Sequence, residues 1–519
     1  MDRKIEGIIA ALMTVIWLVL LNVFFAGKVT APDQVKILPD MRITYIRLEA
    51  TPEYTAVSYD NVAMKNNSNV ISGAIGAKGY HLDSPVDLAV FNAERLIFKH
   101  SIRINQNFKF NLPEKLNKDA RIKFELLDRH GNILNKSSDF QLAAWHVLTS
   151  VSQPLKKNFG DISFGNSRLD IKNFKIVNTP KTGLSFTNKI AYQTTLPMQM
   201  NRSDNDETNV ITARPNSIRP ITKFETNLLL PTETTNLVNW ANPQGSMIHG
   251  DKLYIVYESN TKKKYGRVVM FDLKKLGRAG VIGGGKNRLR ELEKLVNGQR
   301  FVSTKMLQAL DSVQVGPEFY TGHGQALSFD AKSKRLWLMA EGDDAYKQSL
   351  TQVDLKTLAP VESADFSFTD PRSHDKINSE RNFAIDNTGN MYIVSVVTNK
   401  TKKDTNLQNG DVMLYHGRMV DGKPKFSITP TVIRSKPGYY TQFLSFNEKD
   451  QKLYYITDGA YLAIPMTKWL VGSLTYPDFD MGVYATQDGG TREFEAMDWG
   501  PTHQSYLVVN RGAELMKGQ

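Results

Sequence analysis

A strand–turn–strand pattern recurs through the second half of the chain. Its clearest copy is Gly324-Gln325-Ala326-Leu327-Ser328-Phe329-Asp330, a short turn, then Leu336-Trp337-Leu338-Met339. Similar copies begin at Gln442 (with Leu453-Tyr454-Tyr455-Ile456), at Asn382 (with Met391-Tyr392-Ile393-Val394) and at Gln244 (with Leu253-Tyr254-Ile255-Val256). A fifth runs from Glu495 to Tyr506-Leu507-Val508-Val509. In each, a turn rich in Asp, Asn, Gly and Lys lets the chain reverse. The apolar, aromatic and β-branched runs suit a buried pleated surface. Third strands follow at Gly266–Leu273, Ser349–Leu355 and Asp411–Tyr415. Meanders repeated in this way predict a β-propeller. The spacing between Leu253, Leu336, Met391, Leu453 and Tyr506 is uneven, from 53 to 83 residues, so loops and one insertion absorb the excess. A stacked sandwich or a solenoid is the alternative.

Residues 151–519 are therefore read as a five- or six-bladed propeller, the sixth blade depending on 160–200. Leu184-Ser-Phe and Ala191-Tyr-Gln-Thr-Thr are candidate strands for a blade that both chain ends share, which would remove exposed sheet edges. Asn201–Asn209 reads as a surface loop. The widest gap holds a helical insertion at about 284–313, where Leu289, Leu292, Val296, Met306, Leu307 and Leu310 recur at helical spacing. It is expected on a propeller face, over the channel mouth.

Before the propeller, residues 32–150 alternate as short strands do: Ile122-Lys-Phe-Glu-Leu alternates apolar with polar, and Asp87-Leu-Ala-Val-Phe is a more buried run. Asp128-Arg129-His130-Gly131-Asn132 predicts a hairpin turn. Together they predict an Ig-like β-sandwich, similar in pattern from Lys78 to Leu142 to the Ig-like modules of bacterial surfaces. Residues 1–28 form a cytoplasmic tip and a transmembrane anchor. Gly7–Gly27 carries no charge and only Thr14 and Asn22 as polar residues, long enough to cross a hydrocarbon core of about 30 Å. Arg3 and Lys4 before it place the N-terminus in the cytoplasm and the bulk outside. The rival is a signal peptide cleaved near Ala31, which leaves the remainder secreted.

The chain is all-β in its expected fold class apart from the anchor and the insertion. Its 519 residues contain no cysteine, which excludes disulfides, thiolate metal sites and a cysteine nucleophile. For an exported protein that absence points to a Gram-positive surface. The net charge of +12 admits nucleic acid, an anionic membrane or an anionic wall polymer as partners. The lysines cluster in loops, at 262–264 and at 400, 402 and 403, rather than beside stacking aromatics, so nucleic acid is not expected. The membrane is expected as a partner through residues 7–27 alone.

Candidate chemistry centres on polar residues at the starts of the inner strands. Gln244, His323, Gln325, Arg381, Asn382, Gln442 and Glu495 are expected to converge on the propeller axis as a ligand-binding funnel. Satisfied strand ends holding water are the plainer reading of the same residues. Gly283-Gly-Gly before Lys286 lacks the full phosphate-loop pattern and reads as a hinge. Glu341-Gly342-Asp343-Asp344 reads as an acidic surface loop, and Asp386-Asn387-Thr388-Gly389-Asn390 as a turn rather than a calcium loop. The nine histidines form no zinc motif, and no nucleophile elbow is present. No catalytic residue, metal site or cofactor is singled out, and an acid pair of the glycosidase kind stays open.

The second half resembles the helveticin J family of lactic-acid bacteria over about residues 240–460. Gly322-His323-Gly324-Gln325 carries the resemblance, with Asn378-Ser379 through Asp386 to Gly389-Asn390-Met391-Tyr392-Ile393-Val394-Ser395. It implies an exported, antibacterial surface protein. Unlike those secreted bacteriocins, this chain carries a membrane segment and an Ig-like region. The reading as a whole is a membrane-anchored surface protein whose propeller binds an anionic cell-wall polymer or glycan, or a surface protein. A glycan- or ester-processing enzyme and an antibacterial protein are the alternatives.

Overall fold

The computed structural model describes residues 54–59, 61–79, 85–149, 154–163, 173–182, 210–232, 238, 240–259, 261–282, 288–341, 346–369, 376–377, 382–397, 405–420, 423–438, 440–484, 493–510 and 513–519. The expected anchor at 7–27, the triple glycine at 283 and Asp343-Asp344 lie outside the described residues, as do Arg381 and the candidate strands at 184 and 191. Among the described residues no helix is long and apolar enough to cross a membrane.

The five sequence copies become the inner hairpins of five blades. Their innermost strands are Pro243–His249, Ala326–Asp330, Ala384–Ile385, Thr441–Asn447 and Glu493–Trp499. These pack side by side in that order, and the last closes on the first. Each blade meanders outward through antiparallel neighbours, as Lys252–Glu258 and Tyr265–Asp272 do in blade one. The continuous apolar runs of the second strands follow from this arrangement, because a second strand is covered on both faces. Successive side chains point to opposite faces. Tyr254 and Val256 enter the core shared with blade two, whereas Leu253, Ile255 and Tyr257 enter the core shared with blades four and five.

Most of 160–200, expected as an optional sixth blade, lies outside the described residues; its described parts are 160–163 and 173–182. The strands there become part of a belt around the five blades. His146–Val147 adds a parallel outermost strand to blade one, Leu155–Ser163 to blade two and Lys175–Asn178 to blade three. At blade four the N–H groups of Arg214 and Ile218 donate to the carbonyls of Val483 and Met481 at 2.7 and 2.8 Å. The belt ends in blade five, where Lys223–Leu229 pairs antiparallel with the C-terminal strand Glu514–Gly518. One blade is thus built from both ends of the repeat region, which leaves the ring no open seam.

Residues 54–142 form a small sandwich over a core that includes Ile71, Leu88, Val90, Phe124 and Leu126. One sheet holds Pro85–Asn92, Arg95–Arg103, Ile122–Leu127, Ile133–Lys136 and Phe140–Leu142. The other holds Ala63–Met64, Val70–Gly73 and Phe108–Asn111. The expected boundary at 150 falls earlier, since His146 already belongs to the propeller. The hairpin turn at Asp128 forms as expected. The Asp128 carboxylate accepts from the N–H of His130 and of Asn132, both at 2.8 Å, and from the Asn132 amide at 2.8 Å. Asp386 binds Thr388 and Asn390 in the same pattern. The Asp-x-x-Gly-Asn phrase is therefore one turn used in both regions, with Gly131 and Gly389 at φ 85° and 83°.

The insertion supplies the helices Arg288–Asn297 and Thr304–Leu310, with Leu289, Leu292, Val296 and Leu310 buried. Its placement over the channel mouth is corrected. The Arg290 guanidinium donates to the carbonyls of Leu230 and Ala513, which ties the insertion to the outer part of blade five. The short strand Phe301–Ser303 pairs with Phe140–Leu142 and extends the sandwich sheet. The insertion lies at the flank and joins the sandwich to the ring.

Candidate functional site: an acceptor-rich ring at the propeller axis

Gln244, Gln325, Asn382, Gln442 and Glu495 occupy the N-terminal ends of the five inner strands, and none is more than 9% exposed. His323 stands at their rim. Gly322 and Gly324, at φ 61° and 80°, bend the chain around it. A Cβ on Gly324 would lie 2.6 Å from Val256 Cγ1, so this turn needs glycine for room as well as for conformation. The His323 Nδ1 lies 3.4 Å from Glu258 Oε1, and its side chain is 40% exposed.

Several of these side chains meet at the axis. The Gln325 amide nitrogen donates to the Gln442 side-chain carbonyl. The Gln442 nitrogen donates to Asp458 Oδ1 at 2.5 Å and to Glu493 Oε1 at 3.3 Å. Carboxylates accept and do not donate, so they fix which way the Gln442 amide points. Burial, then the charges of Glu493 and Asp458 and, less, of Glu258, push the Glu495 carboxyl well above the usual range, against the opposing bond from Asn510. Glu495 therefore releases its proton less readily than an ordinary carboxyl.

Three acids of this ring escape the sequence reading of the funnel: Glu258, Asp458 and Glu493. A signal for two of them is present in the repeats. An acid stands five residues after the first apolar position of the second strand in three copies, from Leu253 to Glu258, Leu336 to Glu341 and Leu453 to Asp458. Glu341, expected in a surface loop, is buried at the end of its strand and pairs with Lys264 at 3.5 Å.

The ring leaves buried polar atoms with no partner among the described residues, and Gln244 Oε1 and Glu495 Oε2 are two of these. Most buried polar groups in a folded protein are satisfied, so such a concentration marks a place where water or a ligand completes the bonding. Gln244 Oε1, an amide oxygen, can only accept. Among the described residues, no group of histidines and acids has the arrangement to hold a metal ion.

No protein-family model matches the chain, and no curated protein matches it in sequence. Solved structures of similar shape include a glucose dehydrogenase, at 12% identity and a TM-score of 0.27, covering 53% of this chain and 95% of that one. The soluble aldose sugar dehydrogenase of Escherichia coli is 10% identical with a TM-score of 0.27, over 60% and 99% of the two chains. The β-propeller domain of the trilobed protease of Pyrococcus furiosus is 10% identical with a TM-score of 0.21, over 55% and 68%. At such scores none bears on what this chain does. The blade assignment rests on its own strand pairing.

Proposed function

We propose that this chain is an exported, membrane-anchored surface protein whose propeller funnel binds a cell-wall glycan. The observation that carries the reading is the acceptor-rich ring. Gln244 Oε1 and Glu495 Oε2 have no partner among the described residues, and Glu258, Asp458 and Glu493 lie close enough to Glu495 to raise its carboxyl. A ligand that fits must bring donors, as sugar hydroxyls and amino-sugar ammonium groups do. An anionic polymer meets like charge at this end of the axis, so the ring favours the glycan over a teichoic-acid chain. The anchor at 7–27 and the sandwich before the propeller suit display away from a membrane.

Full-length protein in detergent, incubated with purified Gram-positive wall with and without teichoic acid across a salt series, tests the reading. Binding is expected to persist in the stripped wall and to change little with salt. Gln244→Leu, which removes an amide oxygen without a partner among the described residues, is expected to weaken it at least tenfold. Binding that disappears with the teichoic acid, or that Gln244→Leu leaves intact, rejects the glycan funnel.

One observation favours a second reading, glycan hydrolysis. The Glu495 carboxyl, raised well above the usual range, stands beside the acids Asp458 and Glu493, and such chemistry uses a raised carboxyl as its acid with a second carboxyl nearby. New reducing ends released from the same walls, and abolished by Glu495→Gln, would distinguish an enzyme from a binding module.

A further inference from the structure

At the opposite end of the axis, where the inner strands finish, the channel widens into a cavity of about 290 Å³. Phe329, Phe446 and Trp499 stand in its wall, with the apolar Ile248 and Ile385. The three rings are held by others: Trp499 by Tyr454 at 4.4 Å between centroids, Phe446 stacked on Tyr392 at 5.7 Å, and Phe329 against His249 at 3.9 Å. Asp498 lines the same cavity, is 8% exposed, and accepts a hydrogen bond from Ser246 Oγ. Ser445, 6% exposed, also lines it, and its hydroxyl has no partner among the described residues. The chain has 65 Lys and Arg residues, yet among the described residues none lines this cavity, whereas Asp498 and Glu448 do.

We propose that this cavity binds an organic ammonium group, with Asp498 as its counter-charge and Phe329, Phe446 and Trp499 as its aromatic walls. Aromatic faces carry negative potential and attract ammonium groups, most strongly where water is excluded. A buried carboxylate gains most from a ligand that brings the opposite charge. The Ser445 hydroxyl is left to bond a polar tail on the ligand. A neutral sugar would stack on the same rings but leave Asp498 without a counter-charge.

Burial pushes the Asp498 carboxyl up to about 7, against the Ser246 bond. The titratable groups around it are His249 of blade one, Glu448 of blade four, and His503 and Tyr506 of blade five. Burial and then Lys252 lower His249. Burial first, with the charge of Asp386, raises Glu448, against bonds from the Asn387 N–H and Gln451. Burial raises Tyr506. Blades two and three add no titratable group to the lining. A cation entering beside Asp498 favours its ionised form, so binding releases a proton near neutral pH.

Calorimetry on the full-length protein in detergent compares choline with 3,3-dimethylbutan-1-ol, in which carbon replaces the charged nitrogen. Choline is expected to bind at least tenfold more tightly than the alcohol. Its affinity is expected to rise about tenfold between pH 6 and pH 8 as Asp498 ionises, with proton release near pH 7. Asp498→Asn is expected to remove the preference, with near-ultraviolet circular dichroism checking its fold. The alcohol and pH comparisons use the unaltered protein and stand whether or not the variant folds. Equal binding of choline and the alcohol, a pH-independent affinity, no choline binding at millimolar concentration, or preference for methyl glucoside each overturns the proposal. Loss of funnel function leaves this site unaffected, since it lies at the other end of the axis.

Discussion

The Gln325 side-chain amide bonds the Gln442 side-chain carbonyl across the propeller axis, joining blade two to blade four past blade three. Sheet pairing does not link these two blades. This amide contact is therefore a crosswise tie at the level of the candidate site. The same Gln442 amide supplies the hydrogen bonds that hold Asp458 and Glu493 near each other.

Replacing that amide tests its dual role. Gln442→Leu leaves Gln325 without its acceptor and two acids without a shared donor. A buried polar group left unsatisfied costs about 1–3 kcal/mol, so the urea midpoint should fall by the equivalent of about 2 kcal/mol. Unchanged stability would mean that water replaces the amide fully.

Glu495 makes stability depend on pH in a defined direction. Its folded pKa lies well above the ordinary value of about 4.3. Between the two the native state holds a proton that the unfolded chain has released, so this group's contribution to stability falls as pH rises through that window. Glu495→Gln removes the titration. Urea unfolding from pH 4.5 to pH 8 should show the variant gaining on the parent steadily; parallel curves would place the Glu495 pKa in the normal range.

Arg290, 6% exposed, tests how the insertion is held. Its bonds to Leu230 and Ala513 measure 3.0 and 3.2 Å. Hydrogen bonds from charged donors contribute about 1.5–3 kcal/mol, and Arg290→Ala also leaves two buried carbonyls bare. Amide exchange should accelerate across 288–310 and the C-terminal strand Glu514–Gly518, with blades two and three unaffected. Uniform acceleration would show instead that the ring unfolds as one unit.

The belt protects sheet edges. Val177 lies in the outermost strand of blade three and is 6% exposed, packed in the core shared with blade four. Val177→Asp should release that strand and bare the edge of Lys423–Arg434, a template for pairing with another chain. Light scattering after size exclusion should then show self-association that the parent lacks. A monodisperse variant would mean that the belt does not guard this edge.

Much of this architecture was legible in the repeats. Turn chemistry at Asp128 and Asp386 is local: each carboxylate bonds N–H groups two and four residues ahead, so the motif reads directly from spacing. The helical insertion was legible because Leu289, Leu292 and Val296 share a face whatever they pack against. The belt was not legible. Lys175–Asn178 and Leu155–Ser163 are short, and they become strands by pairing with residues more than two hundred positions away.

Taken alone, the sequence determined which segments pair with their neighbours, that five hairpins are alike, and that polar residues open their inner strands. These follow from periodicity and turn residues within a few positions of one another. Tertiary structure decided what those polar residues are to each other. Gln325 meets Gln442, Glu495 feels the charge of Asp458, and Ser246 meets Asp498 only because the ring closes. The raised carboxyls of Glu495 and Asp498 likewise depend on burial, and Glu495 also on the charges of Asp458 and Glu258 from other blades. Desolvation is a property of the packed whole, and no stretch of sequence carries it by itself.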